Sequence, residues 1–211
     1  MLNALLDLLL PRFCAGCRTQ GTRWCTPCTD ATDGLFTVRR AALEKRPPAH
    51  ALAPYNGPAR RFVIAYKDGR RELAPIMGAH FAKALLRLET RDVTMVPAPS
   101  RWSAARKRGG NHIARAAEHT AKALTNHQIT AQVVPALKMA WRTRDSAGLN
   151  PIQRAANLHG ALTVVRKPPP GTPVVLLDDV ITTGATMAAC IDALAAAGIP
   201  VAAAVSFTAT I

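Results

Sequence analysis

Two adjacent acids near the C-terminal end, Asp178 and Asp179, have neighbours that would let them do chemistry. Before them runs Val174-Val175-Leu176-Leu177, which reads as a buried parallel strand ended by the acids. After them come Val180, Ile181, Thr182, Thr183, Gly184, Ala185 and Thr186, a loop rich in hydroxyls. Met187, Cys190, Ile191 and Leu194 then recur at helical spacing, and Gly198 and Pro200 stand where that helix must stop. A strand, a short loop and the positive end of a helix make a cradle for phosphate. Gly184 would let the backbone come close to the ligand. Two carboxylates beside an anion site make sense once a sugar lies between them. A ribose 5-phosphate compound would set its phosphate on Thr182–Thr186 and its 2- and 3-hydroxyls against Asp178 and Asp179, with Mg²⁺ offsetting the charge. Either acid alone reads as the solvated end of a strand; the ordered string does not.

The second group is Cys14, Cys17, Cys25 and Cys28, two C-x-x-C pairs separated by seven residues. Four thiolates at this spacing suit a closed, tetrahedral, structural Zn²⁺ site rather than a disulfide framework. A reducing compartment follows from that reading. The fifth cysteine, Cys190, falls on the apolar face of the last helix and reads as core.

The elements that must position these groups alternate between strand and helix. Residues 2–10 read as a short amphipathic helix, with Leu2, Leu5, Leu6 and Leu9 on one side and Pro11 ending it. Residues 29–50 carry little pattern beyond basic residues and prolines and read as a linker or two poor strands. Tyr55-Asn56-Gly57-Pro58 and Tyr66-Lys67-Asp68-Gly69-Arg70 read as turns, and His80–Leu88 as a helix. Val93–Pro97 is a buried strand, 98–110 a basic loop and Asn111–Leu124 a helix. Gln132–Leu137 and Ala161–Val165 are further strands around a long polar stretch, 138–160, which reads as a functional loop. Val201–Phe207 closes the sheet. This alternation predicts an α/β fold, a parallel sheet with helices on both faces, with ligands at the carboxyl ends of its strands.

At 211 residues and 49% hydrophobic composition, the chain has enough length and apolar content for a real core. The net charge is +14. Between Val93 and Leu177 there are twelve Lys or Arg and two acids, Glu118 and Asp145. Such a stretch attracts polyanions: nucleotides, diphosphates or nucleic acid. The first ten residues lack a basic head and a cleavage site, and Asp192 with the Gly198/Pro200 break argues against a span over 187–205. The expectation is a soluble, cytoplasmic protein with no membrane span.

Val174–Thr186 resembles the phosphoribosyl pyrophosphate (PRPP) signature of type I phosphoribosyltransferases, position by position over thirteen residues. More widely, the chain resembles the ComF family. The carrying features are the leading C-x-x-C pairs, Tyr66-Lys67-Asp68-Gly69-Arg70, Val96-Pro97-Ala98-Pro99, Arg108-Gly109-Gly110-Asn111 and the signature. The resemblance implies a type I phosphoribosyltransferase domain at 51–211 behind an N-terminal segment, 1–50, of helix, four-cysteine zinc knuckle and linker or hood. It implies catalytic roles for Asp178, Asp179 and Arg108, and ligand contacts from Asp178 through Thr186. The family usually has an aromatic at the position of Gly110 and Gln at that of His112, and the loop around Arg144–Leu149 departs from its pattern, while Arg154 and Asn157 match. His112 is therefore expected to be a surface helix residue.

Two functions from different classes stand at this point. In the first, Mg²⁺-PRPP binds at 178–186, Arg108 holds diphosphate and the 138–160 loop closes as an acceptor attacks C1. Arg101, Arg106, Lys107, Arg142 and Arg144 then neutralise the leaving group. In the second, the basic loops bind single-stranded DNA, Trp102 and Trp141 would stack on bases, and the PRPP site is regulatory or relic. The resemblance accords with this in that some ComF family members are linked to DNA uptake (competence). Acceptor and oligomeric state, including a homo-oligomer, are left open by the residues.

Overall fold

The computed structural model describes residues 12–100, 106, 109–139 and 162–211. The chain forms α1 (Thr26–Asp30), β1 (Phe36–Thr37), a 3₁₀ turn (Ala41–Leu43), β2 (Ala49–Pro54), α2 (Gly57–Lys67), a second 3₁₀ turn (Arg71–Leu73) and α3 (Ala74–Arg87). It continues with β3 (Val93–Pro97), α4 (His112–Thr125), β4 (Ala131–Val133), β5 (Leu137–Met139), β6 (Leu162–Val164), β7 (Val174–Ile181), α5 (Ala185–Ala196) and β8 (Val201–Ala209). Six strands make one sheet in the order β1-β2-β8-β7-β3-β4, all neighbours parallel except the β1–β2 pair. The α/β expectation holds at this level: a mostly parallel sheet with helices on both faces.

The two faces carry separate cores. Val175 and Leu177 of β7 pack with Phe62, Met77, Phe81 and Ile113 from α2, α3 and α4. Val174 and Leu176, which alternate with them, pack with Met187, Cys190 and Ile191 of α5 and with Val38 and Leu43. This is the period-2 alternation of a strand buried on both sides.

Several expectations are corrected. The acids do not end the signature strand, because β7 runs on to Ile181 by pairing with β8 through Asp178–Ser206 and Ile181–Ala209. The end of the weakly patterned region, with the residues just before the expected Tyr55–Pro58 turn, forms β2 (Ala49–Pro54). It is a buried strand pairing with β8. The strand expected over 132–137 splits into β4, in the main sheet, and β5. That strand pairs antiparallel with β6, so the strand expected near 161–165 lies in a separate ribbon. The helix expected over 2–10 lies outside the described residues.

The chain leaves β3 through α4 toward β4, and leaves β7 through α5 toward β8, in opposite directions along the sheet. In open α/β sheets ligands bind in the crevice where such connections part, which here is at the carboxyl ends of β3 and β7. Here β7 outruns β3. The last register pair is Pro97–Leu177, and the Ala98 N–H closes the ladder on the Leu177 carbonyl at 2.8 Å. Asp178 to Ile181 thus project beyond the end of β3, still held by β8 on the other side.

Candidate functional site

The projecting end of β7 holds the two acids, and neighbouring residues of an extended strand turn to different sides. Asp179 faces α2 and α4. Lys67 Nζ lies 2.7 Å from its Oδ1, and His112 Nε2 donates a short hydrogen bond to its Oδ2. Asp179 is 4% exposed, and its burial works against the charge, but His112 and Lys67 together hold its carboxyl below the usual range. The Thr208 hydroxyl adds a bond to its carbonyl at 3.1 Å.

His112 is a correction to the expected surface residue: it is 5% exposed. Asn111 caps α4 by accepting from the Ile113 and Ala114 N–H groups, and its amide donates to the Ala98 carbonyl at 2.8 Å. The start of α4 is thereby tied to the end of β3, which turns the first helical side chain into the crevice. Tyr66 donates to the His112 carbonyl at 2.6 Å, and its ring meets the imidazole edge-on at 5.5 Å. Burial pushes the Tyr66 phenol up to about 12, so it stays a donor. On the other side of the imidazole, Ser100 Oγ lies 3.4 Å from Nδ1.

Asp178 is only partly buried and is not paired with a cation at contact distance among the described residues. Its Oδ1 accepts the Asp179 N–H at 2.8 Å, a backbone donor left over where β3 stops. Burial, then the neighbouring Asp179 charge, pushes its carboxyl up to about 7. Its influence reaches the α5 side, where burial and then Asp178 raise the Cys190 thiol. The two acids expected to face one sugar thus stand in different surroundings. Asp179 has both oxygens engaged by protein, and Asp178 is the acid with capacity left.

Thr182 and Thr183 are exposed and Thr186 partly so, at the start of α5. Gly184 is the N-cap of that helix with φ +82°, a left-handed conformation that glycine adopts without steric cost. Its missing side chain points toward the 40–46 segment. A Cβ there would meet Leu43 Cγ at 3.0 Å and Arg40 Cβ at 3.4 Å. The 40–46 segment lies over the loop. Arg40 Nε donates to the Thr182 carbonyl at 2.8 Å, and its terminal nitrogen makes a short bond to the Thr210 carbonyl. Arg46 forms a two-pronged ion pair with Asp192 of α5, at 2.8 and 2.7 Å.

Arg108, Arg101, Lys107, Arg142, Arg144, Trp102, Trp141, Arg154 and Asn157 lie outside the described residues, as does the 138–160 loop apart from Lys138 and Met139. Lys67, His112, Ser100 and Arg40 are the site residues that sequence reasoning missed. Only Lys67 carried a signal, as part of Tyr66-Lys67-Asp68-Gly69-Arg70 at the end of α2.

The four cysteines do come together, all sulfurs lying within 4.8 Å of one another. Cys14–Cys25 and Cys17–Cys25 are 3.6 and 3.4 Å apart, close to the sulfur spacing of about 3.8 Å around a tetrahedral zinc. The donor set fits Zn²⁺, and the Gly16 N–H already points at Cys14 Sγ at 3.4 Å. Bonds from Thr19 hold the Cys17 thiol down at about 6, whereas burial pushes Cys28 up.

Fold and site together define an α/β protein with a mostly parallel six-stranded sheet, two acids on the projecting end of β7, and an N-terminal four-cysteine cluster able to hold zinc. No protein-family model matches the chain, and no curated protein matches it either. Among the described residues, no helix is long and apolar enough to cross a membrane.

Proposed function

We propose that this chain is a PRPP-binding, phosphoribosyltransferase-like protein. It binds Mg²⁺-PRPP in the crevice at the end of β7 and transfers the phosphoribosyl group to an acceptor with loss of diphosphate. The observation that carries the reading is the conjunction at one strand end: Asp178 with spare acceptor capacity, then the exposed hydroxyls of Thr182 and Thr183 at the head of α5, all beside the point where the chain connections diverge. A 5-phosphate sits against the loop amides and hydroxyls, and the ribose hydroxyls meet Asp178. Mg²⁺ would be held largely by the ligand's own phosphates. The resemblance to the PRPP signature supports the same assignment, and the wider resemblance to the ComF family accords with the cysteine cluster.

Calorimetry with PRPP, ribose 5-phosphate and inorganic phosphate, with and without Mg²⁺, tests this. Asp178→Asn is expected to weaken the two sugar phosphates while leaving inorganic phosphate bound as well or better. Thr182→Ala with Thr183→Ala is expected to weaken all three. Absence of PRPP binding to the wild type at millimolar ligand would overturn the reading. Gly184→Val is unsuitable as a probe, since it strikes Leu43. A DNA-binding function would depend on Trp102, Trp141 and basic loops outside the described residues, and no described contact favours it over PRPP.

A further inference from the structure

Ser100, His112 and Asp179 come from three separate parts of the chain and line up in one row. Ser100 follows β3, His112 opens α4 and Asp179 sits on β7. The Ser100 hydroxyl is 3.4 Å from His112 Nδ1, and His112 Nε2 bonds the Asp179 carboxylate. Asp179 in turn is fixed by Lys67 at 2.7 Å. His112 and Asp179 are buried, whereas Ser100 is partly open at the crevice.

The row has a direction. A carboxylate accepts hydrogen bonds and cannot donate them, so the ring proton facing Asp179 belongs to Nε2. In the neutral imidazole the lone pair is then on Nδ1, the atom that faces Ser100. The Tyr66 bond to the His112 carbonyl and the Asn111 cap hold the residue in place. This is the arrangement in which an acid orients an imidazole and the imidazole takes a proton from a hydroxyl. The 3.4 Å separation is long for such a transfer, but bonds of this kind tighten when a ligand fills the site.

We propose that Ser100, His112 and Asp179 form a proton relay serving the crevice, and that the acceptor is a protic nucleophile, an N–H or O–H group, deprotonated through Ser100. The inference rests on the phosphoribosyl-transfer reading. As the acceptor's lone pair forms a bond to C1 of the ribose, the C1–oxygen bond breaks and its electron pair leaves with diphosphate. The acceptor proton passes to Ser100 Oγ, and the Ser100 proton passes to His112 Nδ1. Asp179 and Lys67 remain paired throughout, so the imidazolium forms beside a carboxylate already in place. Ser100 is the catalytic residue of the row; His112 acts through it, and Asp179 positions His112.

The pH behaviour of the relay is set by the groups facing the imidazole: Asp179 from β7, Lys67 and Tyr66 from α2, and Arg115 of α4, which acts on Tyr66. The test compares wild type, Ser100→Ala and His112→Gln. Gln keeps a donor for Asp179 but has no titrating nitrogen. PRPP affinity by calorimetry is expected to stay within about threefold in both variants. Diphosphate release from Mg²⁺-PRPP, with water and with ammonia as acceptors, is expected to fall by about 10²–10⁴-fold, the usual range for a lost general base. The pH–rate profile of wild type should differ in shape from that of His112→Gln. Equal rates and equal pH profiles would overturn the relay.

Nitrogen-15 NMR of labelled histidines decides the matter even where neither acceptor reacts. The relay requires the neutral His112 ring to carry its proton on Nε2, with the Nδ1 signal changed in Ser100→Ala. A proton on Nδ1, or indifference to Ser100, sinks it. Failure of PRPP to bind wild type would instead count against the phosphoribosyl-transfer reading, and the NMR result would still stand by itself.

Discussion

Two adjacent carboxylates in one strand end up with opposite electrostatics, and the difference has consequences for stability. Asp178 is raised to about 7 by burial and by Asp179, so the folded chain keeps a proton that the unfolded chain releases near pH 4. Stability from this group therefore falls as pH rises from about 4 to about 7, and stays lower above that. Asp178→Asn removes the dependence. The measurement is the urea midpoint of wild type and variant at about pH 5 and about pH 8, either side of the folded value, and the variant's advantage should be larger at the higher pH. An advantage equal at both values would contradict the assignment. The comparison between proteins carries the test because His80, held down at about 4 by its burial, titrates in the same window. Asp179 behaves in the other sense: its lowered carboxyl contributes stability above the usual carboxylate range and loses it as pH falls through the folded value. Asp179→Asn leaves Lys67 and His112 without their counter-charge. It should cost on the order of 2–3 kcal/mol, below the range for a fully buried pair because Lys67 is 39% exposed.

At the scale of elements, the loop between β7 and α5 is held by a segment from the other end of the chain. Leu43 packs over Gly184, and Arg40 and Arg46 grip the loop and α5. Gly184→Ala brings two costs that can be separated. The left-handed backbone costs about 1–2 kcal/mol for any residue with a Cβ, and the contact with Leu43 adds a packing strain. Adding Leu43→Ala to Gly184→Ala should relieve the second cost and leave the first, so the two changes should be non-additive in a double-mutant cycle. Strict additivity of unfolding free energies would mean that Leu43 does not restrain the loop. Arg40→Ala should weaken phosphate binding without touching the acids, because it frees the Thr182 carbonyl and the loop it anchors.

At the scale of the whole molecule, the cysteine cluster is built into the core rather than hung beside it. Ala15 belongs to the core of the α2–α4 face, and the Trp24 ring meets Phe62 at 4.8 Å. Gly16 has Cys28 Sγ, Trp24 and Pro58 so close that no side chain fits there. Metal analysis should find about one Zn²⁺ per chain. Chelation should lower the melting temperature of the domain and not merely loosen its N-terminal end, because metal affinity is folding free energy in such a site. Cys190→Ser should leave metal content unchanged, since Cys190 lies in the other core. Chelation without any change in melting would show that the cluster is not coupled to the sheet.

Local pattern was enough for β3, α4, α5 and the start of β7, because alternation and helical spacing depend on neighbours within a few positions. The cysteine spacing sufficed for the cluster for the same reason. Other matters were decided only in three dimensions. His112 has the sequence surroundings of a surface residue, yet it is buried against Asp179, 67 positions away. Arg40 reads as part of a basic linker and instead bonds Thr182, 142 positions away. The 49–54 stretch shows no strong alternation because its two faces are both covered, and only pairing with β8 makes it a strand. The strand order also left no local trace, and it is the order that places β3 and β7 side by side with their connections diverging. The sequence by itself therefore determined the strand, loop and helix start proposed to hold a phosphate, and the four cysteines that could hold a zinc ion. The tertiary structure decided which acid is left open and which is tied down, since charge pairing and burial depend on groups that the chain brings together from far apart.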